Sequence, residues 1–318
     1  MSVDRYCVLV GTDGSWHSGP VLDVAAEEAA ARQLPLLIVS VVRSLPDARA
    51  SQLQRANGDD RARELTDWRL LEAMSRVRGR HPALEISTHR LPDADLPWRI
   101  DGSGGLPEPR LLVVGARGCR DQPAFGLGTV SRDLLRATSC PVLVVPQSAR
   151  QSRTNPATHA DAVVAGLADD PLSGPVLRAT ADEAAVRRAP VEILHCYAAA
   201  HGESNEQARA RATARSGELV GAIRDADERW NTIPHSVVVT NEPAADALSR
   251  RSAAASVLVL GTRGPAALAG LSPTSVSRAV VASARCPVLL VVPGTGSTSS
   301  STDVDSIMRS RPHADGLR

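Results

Sequence analysis

The chain contains no lysine, because all 36 of its basic residues are arginine. This absence excludes a Schiff-base enzyme, a Walker-type phosphate lysine and a catalytic lysine. Aromatic residues are almost as rare, with four Trp, two Tyr and one Phe in 318 residues, which argues against a base-stacking platform for nucleic acid. The net charge is only +1, so the sequence shows no electrostatic footprint for nucleic acid or a membrane surface.

Long apolar runs and cysteine pairs are also missing. No stretch of 18 apolar residues occurs, and the N-terminus lacks a basic-then-apolar signal pattern, so we expect a soluble cytoplasmic protein. None of the five cysteines forms a CxxC pair. We interpret four of them as small buried side chains in a reducing compartment, and Cys119 as exposed within a glycine-rich loop. The four are Cys7, Cys140, Cys196 and Cys286.

The sequence is a tandem repeat of two similar copies. Val8–Gly11 matches Val163–Gly166 at a separation of 155 residues. Near the end of each copy, Cys140–Leu143 matches Cys286–Leu289 at a separation of 146. The difference of about nine residues falls between the second strand and the glycine motif of the first copy, and surface connections tolerate such changes.

The repeat predicts two domains of ordinary size. We place the first at residues 1–146 and the second at 161–293. Residues 147–160 have the composition of a linker. Residues 294–318 are rich in Gly, Ser and Thr and then polar, which is typical of a disordered tail.

Within each copy, short apolar runs alternate with helical stretches. This order predicts an α/β fold with two doubly wound domains, each a parallel sheet with helices on both faces. Segment 91–109 is rich in Pro and Gly and predicts the loss of a third helix that copy two keeps at 243–253. The strands expected in copy one are Tyr6–Val10, Leu36–Val42, Leu84–His89, Leu111–Val114 and Val142–Val145.

Three helices are expected in copy one, at 18–33, 61–78 and 129–137. The first should bury one apolar face and leave Glu27 and Glu28 outside. The second should pack through an inner stripe made of Leu65, Trp68, Leu70, Leu71 and Met74.

The strongest chemical signal is a glycine pattern after the fourth strand. Gly115 and Gly118 are followed, after nine intervening residues, by Gly128 and Thr129 at an expected helix start. Glycine lets backbone N–H groups approach an anion closely, and a helix N-terminus adds donors and a favourable dipole. The pattern therefore favours a phosphate-binding loop. The alternative is an ordinary strand-to-helix loop capped by Thr129.

A second signal follows the first strand, where Gly11, Thr12 and Asp13 lead into Gly14 and Ser15. In a doubly wound sheet, ligands bind beyond the carboxyl ends of the strands, so Asp13 can accept hydrogen bonds from ribose hydroxyls. The alternative is a helix-capping or Asx-turn aspartate.

No constellation of catalytic or metal-binding residues stands out. Asp13, Ser15 and His17 lie within one turn, whereas members of a hydrolytic triad converge from separate elements. His195 ends a strand and has no second ligand at useful spacing, so we interpret it as a packing residue.

These motifs resemble those of the universal stress protein family in its tandem form, over about residues 5–293. The resemblance rests on Val8–Ser15, the glycine pattern from Gly115 to Thr129, and Cys140–Val145. It implies a five-stranded parallel sheet in the order 3-2-1-4-5 for each copy. It also implies that ATP lies between the first and fourth strands.

The same resemblance implies roles for individual residues. Asp13 would contact the ribose, and the backbone at Val41 would meet the adenine beside Gly11 and Thr12. The phosphates would be wrapped by the loop after the fourth strand, with these members: Gly115, Arg117, Gly118, Gly128, Thr129, Val130 and Ser131.

Copy two departs from this pattern. Ala168 stands at the position of Asp13, Thr274 at that of Gly128, and the acidic pair Asp169 and Asp170 replaces Gly14 and Ser15. Like charges near a phosphate repel it, so we expect a single nucleotide site, in copy one.

The resulting expectation is a stress-related regulatory protein that binds an adenine nucleotide without fast catalysis. ATP is the first choice, with or without Mg²⁺, and cyclic AMP or another adenine nucleotide is an alternative. A scaffold with two inactive pockets and a slow ATPase remain as competing functions. An adenylyl-transfer enzyme is disfavoured because the Ser-Gly-Gly-x-Asp loop is missing.

The resemblance also bears on assembly. The fifth strands, Val142–Val145 and Val288–Val292, are apolar and would be an aggregation hazard at an open sheet edge. We therefore expect them to pair antiparallel within the chain as an intramolecular pseudo-dimer. An unknown protein partner and a homodimer of whole chains are left open.

Overall fold

The computed structural model describes residues 6–15, 17–42, 52–92, 106–116, 140–152, 162–168, 170–262 and 276–291. Within these ranges it contains ten strands, which form one continuous sheet. In copy one they are β1 (Tyr6–Gly11), β2 (Leu36–Val42), β3 (Ile86–Pro92), β4 (Glu108–Gly115) and β5 (Val142–Val145). In copy two they are β6 (Ala162–Leu167), β7 (Val191–Cys196), β8 (His235–Thr240), β9 (Ala255–Gly261) and β10 (Val288–Val291).

Seven α-helices accompany the sheet in the described residues. They are α1 (Ser18–Arg32), α2 (Gln52–Arg80), α3 (Gln147–Ser152), α4 (Ser173–Arg187), α5 (Asn205–Ala226), α6 (Ala244–Arg251) and α7 (Val276–Ser283). No helix in this part of the chain is both long and apolar enough to cross a membrane.

The strand order confirms the predicted topology. The sheet runs β3-β2-β1-β4-β5-β10-β9-β6-β7-β8, so each copy has the order 3-2-1-4-5. Pairing within each copy is parallel. The copies meet where β5 pairs antiparallel with β10, with Leu143 opposite Leu289, as expected for the two fifth strands.

Two apolar layers cover the faces of this sheet. Side chains alternate along the strands, so Val8 and Val10 enter one layer and Cys7 and Leu9 enter the other. Both layers run through both copies. The central strands are buried on both faces, and for this reason their sequences are continuous apolar runs.

Helix α2 differs from its expected form. It begins at Gln52, nine residues before the expected start at residue 61, and its predicted inner stripe is only partly correct. Leu65, Trp68 and Leu71 are 48%, 61% and 59% exposed. The buried positions near the sheet are instead spaced by four, three and four residues, at Thr66, Leu70, Ala73 and Val77.

Helix α1 also departs from expectation, because Glu28 is buried rather than outside. Its carboxylate binds Arg32 on the same helix and Arg187 on α4 of the other copy. Glu183, which is equivalent to Glu28, binds Arg187 and Arg32 in the same way. The four side chains form an ionic quartet between the copies, and each is 4–15% exposed.

The remaining predicted segments are partly within and partly outside the described residues. The expected helix at 243–253 is present as α6, whereas the expected linker begins with the short helix α3. The expected helix at 129–137, most of segment 91–109 and the tail at 294–318 lie outside the described residues.

Candidate functional site

The carboxyl edge of copy one brings the ends of three strands together. Gly11 of β1 pairs with Val39 of β2, and Val10 pairs with Val113 of β4. The strand order reverses between β1 and β4, and doubly wound sheets bind their ligands at such a switch point, beyond the carboxyl ends of the strands. Gly11, Val41 and Gly115, which the sequence assigns to a ligand site, therefore lie at one edge of the sheet.

Asp13 organises the turn that follows β1. Its Oδ1 atom accepts hydrogen bonds from the N–H of Ser15 at 2.9 Å and from the hydroxyl of Ser18 at 2.7 Å. The backbone of buried Thr12 donates to Val39 at 2.9 Å, which ties the turn to β2. Asp13 is thus an Asx-turn residue, and the turn holds its carboxylate at the carboxyl edge.

Gly14 completes this turn in a conformation that favours glycine. Its φ is +70°, and its N–H donates to the hydroxyl of Thr12 at 3.2 Å. The side chain of Arg69, from α2, lies directly against it, since a Cβ atom on Gly14 would be 2.9 Å from Nε of Arg69. Nothing in the local sequence indicates this contact, because 55 residues separate the two positions.

A buried hydroxyl lies beside the position assigned to adenine. Ser40 precedes Val41 in β2, is 1% exposed, and its Oγ atom has no hydrogen-bond partner among the described residues. Buried polar atoms are nearly always paired, so an unpaired one is uncommon. Sequence reasoning missed Ser40, because it reads as one residue of a strand.

The expected glycine loop begins at the carboxyl end of β4. Gly115 ends β4, and the next residue, Ala116, donates its N–H to Val145 at 3.0 Å. The remaining residues of the expected phosphate loop lie outside the described residues, and their roles stay predictions. They are Arg117, Gly118, Gly128, Thr129, Val130 and Ser131.

The equivalent turn of copy two is built differently. Asp170, not residue 168, supplies the turn carboxylate, and its Oδ1 accepts the N–H of Leu172 at 2.9 Å. Ser173, the equivalent of Ser18, donates to the backbone carbonyl of Ala168. The turn is therefore complete without a carboxylate at the position of Asp13.

Leucine side chains also pack on the ends of β6 and β9. A Cβ atom on Gly166 would lie 2.5 Å from Leu260 and 3.3 Å from Leu248. On Gly261 it would lie 2.9 Å from Leu172. Gly166 and Gly261 are the equivalents of Gly11 and Gly115, so apolar side chains pack against the strand ends of copy two at the edge that corresponds to the predicted ligand edge of copy one.

Other candidate groups behave as packing residues. His195 is 1% exposed, and its Nδ1 atom lies 2.7 Å from the hydroxyl of Ser216, in agreement with the expected packing role. Burial, with the neighbouring Cys140, raises the pKa of the Cys7 thiol to about 12. Burial also raises the pKa of Cys286 to about 12, so neither thiol is an activated nucleophile. No cluster of metal-ligating side chains occurs in the described residues.

The described strands form a doubly wound sheet in each copy, and proteins of this fold class that bind a ligand hold it at the carboxyl edge of the sheet. Residues 7–146 and 160–292 each match the model of the Universal stress protein family. The chain belongs to the universal stress protein family, as the sequence motifs predicted.

Known relatives share the tandem arrangement over most of the chain. A universal stress protein of Mycobacterium tuberculosis is 29% identical over 293 residues, covering 90% of this chain and 97% of that protein. A universal stress protein of Archaeoglobus fulgidus, solved by crystallography, superposes with a TM-score of 0.63 at 16% identity, covering 92% of this chain and all of that one. A universal stress protein crystallised with cAMP is 26% identical and covers 45% of this chain and 98% of that one, with a TM-score of 0.32.

Proposed function

We propose that copy one binds one adenine nucleotide per chain, with ATP as the first candidate, and that the protein regulates rather than catalyses. The observation that carries the proposal is the asymmetry between the two carboxyl edges. Copy one presents the Asp13 carboxylate in its turn, whereas copy two has Ala168 at that position and builds its turn on Asp170. The family resemblance supplies the ligand class.

In the proposed complex the ribose lies at Asp13 and the adenine beside Gly11, Thr12 and the backbone of Val41. The carboxylate of Asp13 is already oriented by two hydrogen bonds, so binding does not require the turn to be ordered. The phosphates extend from Gly115 into the predicted loop 117–131.

Titration calorimetry with ATP and with cyclic AMP, each with and without Mg²⁺, tests the proposal. We expect a stoichiometry of one for the preferred nucleotide. At a hundredfold excess over Kd, bound ligand should raise the free energy of unfolding by about 2.7 kcal/mol, which a thermal melt detects. A stoichiometry of two would contradict the asymmetry.

Turnover measured in the same samples separates binding from a slow ATPase. We expect no release of phosphate on the time scale of binding, because no general base or nucleophile constellation is present in the sequence. Absence of any nucleotide binding would instead favour the tandem scaffold.

A further inference from the structure

Three large apolar side chains lie exposed on the outer face of α2. Leu65, Trp68 and Leu71 are 48%, 61% and 59% exposed. Residues three positions apart are neighbours on a helix surface, so the three side chains form one apolar patch. A contiguous patch of this kind is typical of an interaction surface, whereas single exposed apolar residues are ordinary. A shallow groove in the same face is lined by Trp68, Leu71, Glu72, Ser75 and Arg76.

The corresponding helix of copy two, α5, shows that the fold does not need this patch. Both helices bury positions that are 146 residues apart in the sequence, so Leu70 matches Ser216 and Val77 matches Ile223. By the same separation, the patch residues correspond to Arg211, Ala214 and Gly217. Copy two therefore packs an equivalent helix on its sheet without large apolar side chains outside. The role of the patch lies outside the packing of its own domain.

The charges beside the patch match those of a second, reversed α2 helix. Glu64 and Arg78 are both exposed, and neither has an ion-pair partner among the described residues. They are 14 positions apart, which is nearly four helical turns, so they lie on the same flank of α2 about 21 Å from each other. Their midpoint is Leu71, within the patch. A twofold axis at this point, perpendicular to the helix, would place Glu64 of each chain opposite Arg78 of the other.

We propose that the outer face of α2 is the interface of a homodimer of whole chains, in which the two α2 helices pack antiparallel. Leu71 packs on its equivalent across the twofold axis, and Trp68 of each chain enters the groove of the other, close to Ser75. A Glu64–Arg78 pair lies at each end of the contact. One helix supplies both the tryptophan and the groove, and both signs of charge, as a self-complementary interface requires. The proposal does not rest on nucleotide binding.

Sedimentation equilibrium of the full chain, without nucleotide, measures the dissociation constant of the dimer. We expect a reversible equilibrium between monomer and dimer for the wild type. Trp68→Gln should raise the dissociation constant about 30-fold or more, because a tryptophan at the centre of an interface is a typical hot spot. Ala214→Gln, at the equivalent exposed position of α5, is the matched control and should leave the constant unchanged. Circular dichroism shows whether both variants are folded.

Charge reversal tests the antiparallel arrangement independently of the patch. Glu64→Arg and Arg78→Glu should each raise the dissociation constant about 5-fold, because each brings like charges together at both ends of the contact. The double variant Glu64→Arg, Arg78→Glu restores both pairs with the charges exchanged, and its dissociation constant should return to within about 2-fold of the wild-type value. All these side chains are exposed, so the changes should leave the folded chain intact.

Three outcomes would overturn the proposal or its geometry. A wild-type chain that stays monomeric at every concentration would rule out self-association and leave the patch to a different protein. A dimer that tolerates Trp68→Gln would place the interface on another surface. A double charge variant that dimerises as weakly as the two single variants would exclude the antiparallel arrangement.

Discussion

At the scale of single residues, Asp13 combines a structural role with a proposed binding role. Asp13→Ala removes the acceptor of two hydrogen bonds in the turn and the proposed ribose contact. We expect it to lower nucleotide affinity at least 10-fold and the free energy of unfolding by about 1 kcal/mol. Calorimetry and a denaturant titration measure the two effects separately.

Asp170→Ala is the matched control, because Asp170 holds the corresponding turn of copy two through one hydrogen bond. It should lower stability by a similar amount and leave nucleotide affinity unchanged. An equal loss of affinity in both variants would mean that turn rigidity, not the Asp13 carboxylate, supports binding, or that copy two also binds.

At the scale of elements, helix α2 shows which side chains anchor a helix to the sheet. Leu70 is 4% exposed, whereas Trp68 is 61% exposed. We expect Leu70→Ala to lower the free energy of unfolding by about 2–4 kcal/mol, because it leaves a cavity between α2 and the sheet. Trp68→Gln should change it by less than about 0.5 kcal/mol. Denaturant titrations of the two variants would contradict this assignment if their losses were alike.

The central strands give a second prediction at this scale. Val144 is fully buried and lies opposite Val288 at the junction of the copies. We expect Val144→Asp to separate or unfold the two halves, because it buries a carboxylate without a partner. Val237→Asp, on the outer strand β8, should be tolerated since Val237 is 40% exposed. The hydrodynamic radius should increase only for Val144→Asp.

The elements also show what the sequence could and could not predict. The strands were found because apolar runs between turn residues have few other interpretations. The buried face of α2 was misassigned, because large apolar residues at 65, 68 and 71 hid the smaller set at 66, 70, 73 and 77. The Asp13 turn has a local signature, but the contact between Arg69 and Gly14 and the burial of Glu28 depend on distant partners, which a local pattern does not reveal.

At the scale of the whole molecule, the ionic quartet links the copies through α1 and α4. Burial lowers the pKa of Arg32, but the carboxylates of Glu28 and Glu183 outweigh burial and raise it overall. At Glu183, burial raises the pKa of the carboxyl group and outweighs Arg187 and Arg32, which lower it. Arginine stays charged at any accessible pH, so Arg32 and Arg187 keep their positive charges within the quartet.

Glu183→Gln should therefore lower the free energy of unfolding by about 1–3 kcal/mol, since it leaves two guanidinium groups facing one carboxylate. The double variant Glu183→Gln, Arg187→Gln restores the balance of charge and keeps the pair between Glu28 and Arg32. It should lose less stability than the single variant. Denaturant titrations test this order, and a double variant less stable than the single one would contradict it.

The pairing of β5 with β10 can form only after the second copy has been synthesised. Val145, the last residue of β5, leaves the ribosome 146 residues before Val291, the last residue of β10. At about 5–20 residues per second, this interval is roughly 7–30 s. During that time the first copy carries an uncovered apolar strand, which is competent to pair with the same strand of another nascent chain. A chain truncated within the second copy would therefore be prone to aggregate through β5. In this tandem arrangement, correct assembly depends on synthesis of the complete second copy.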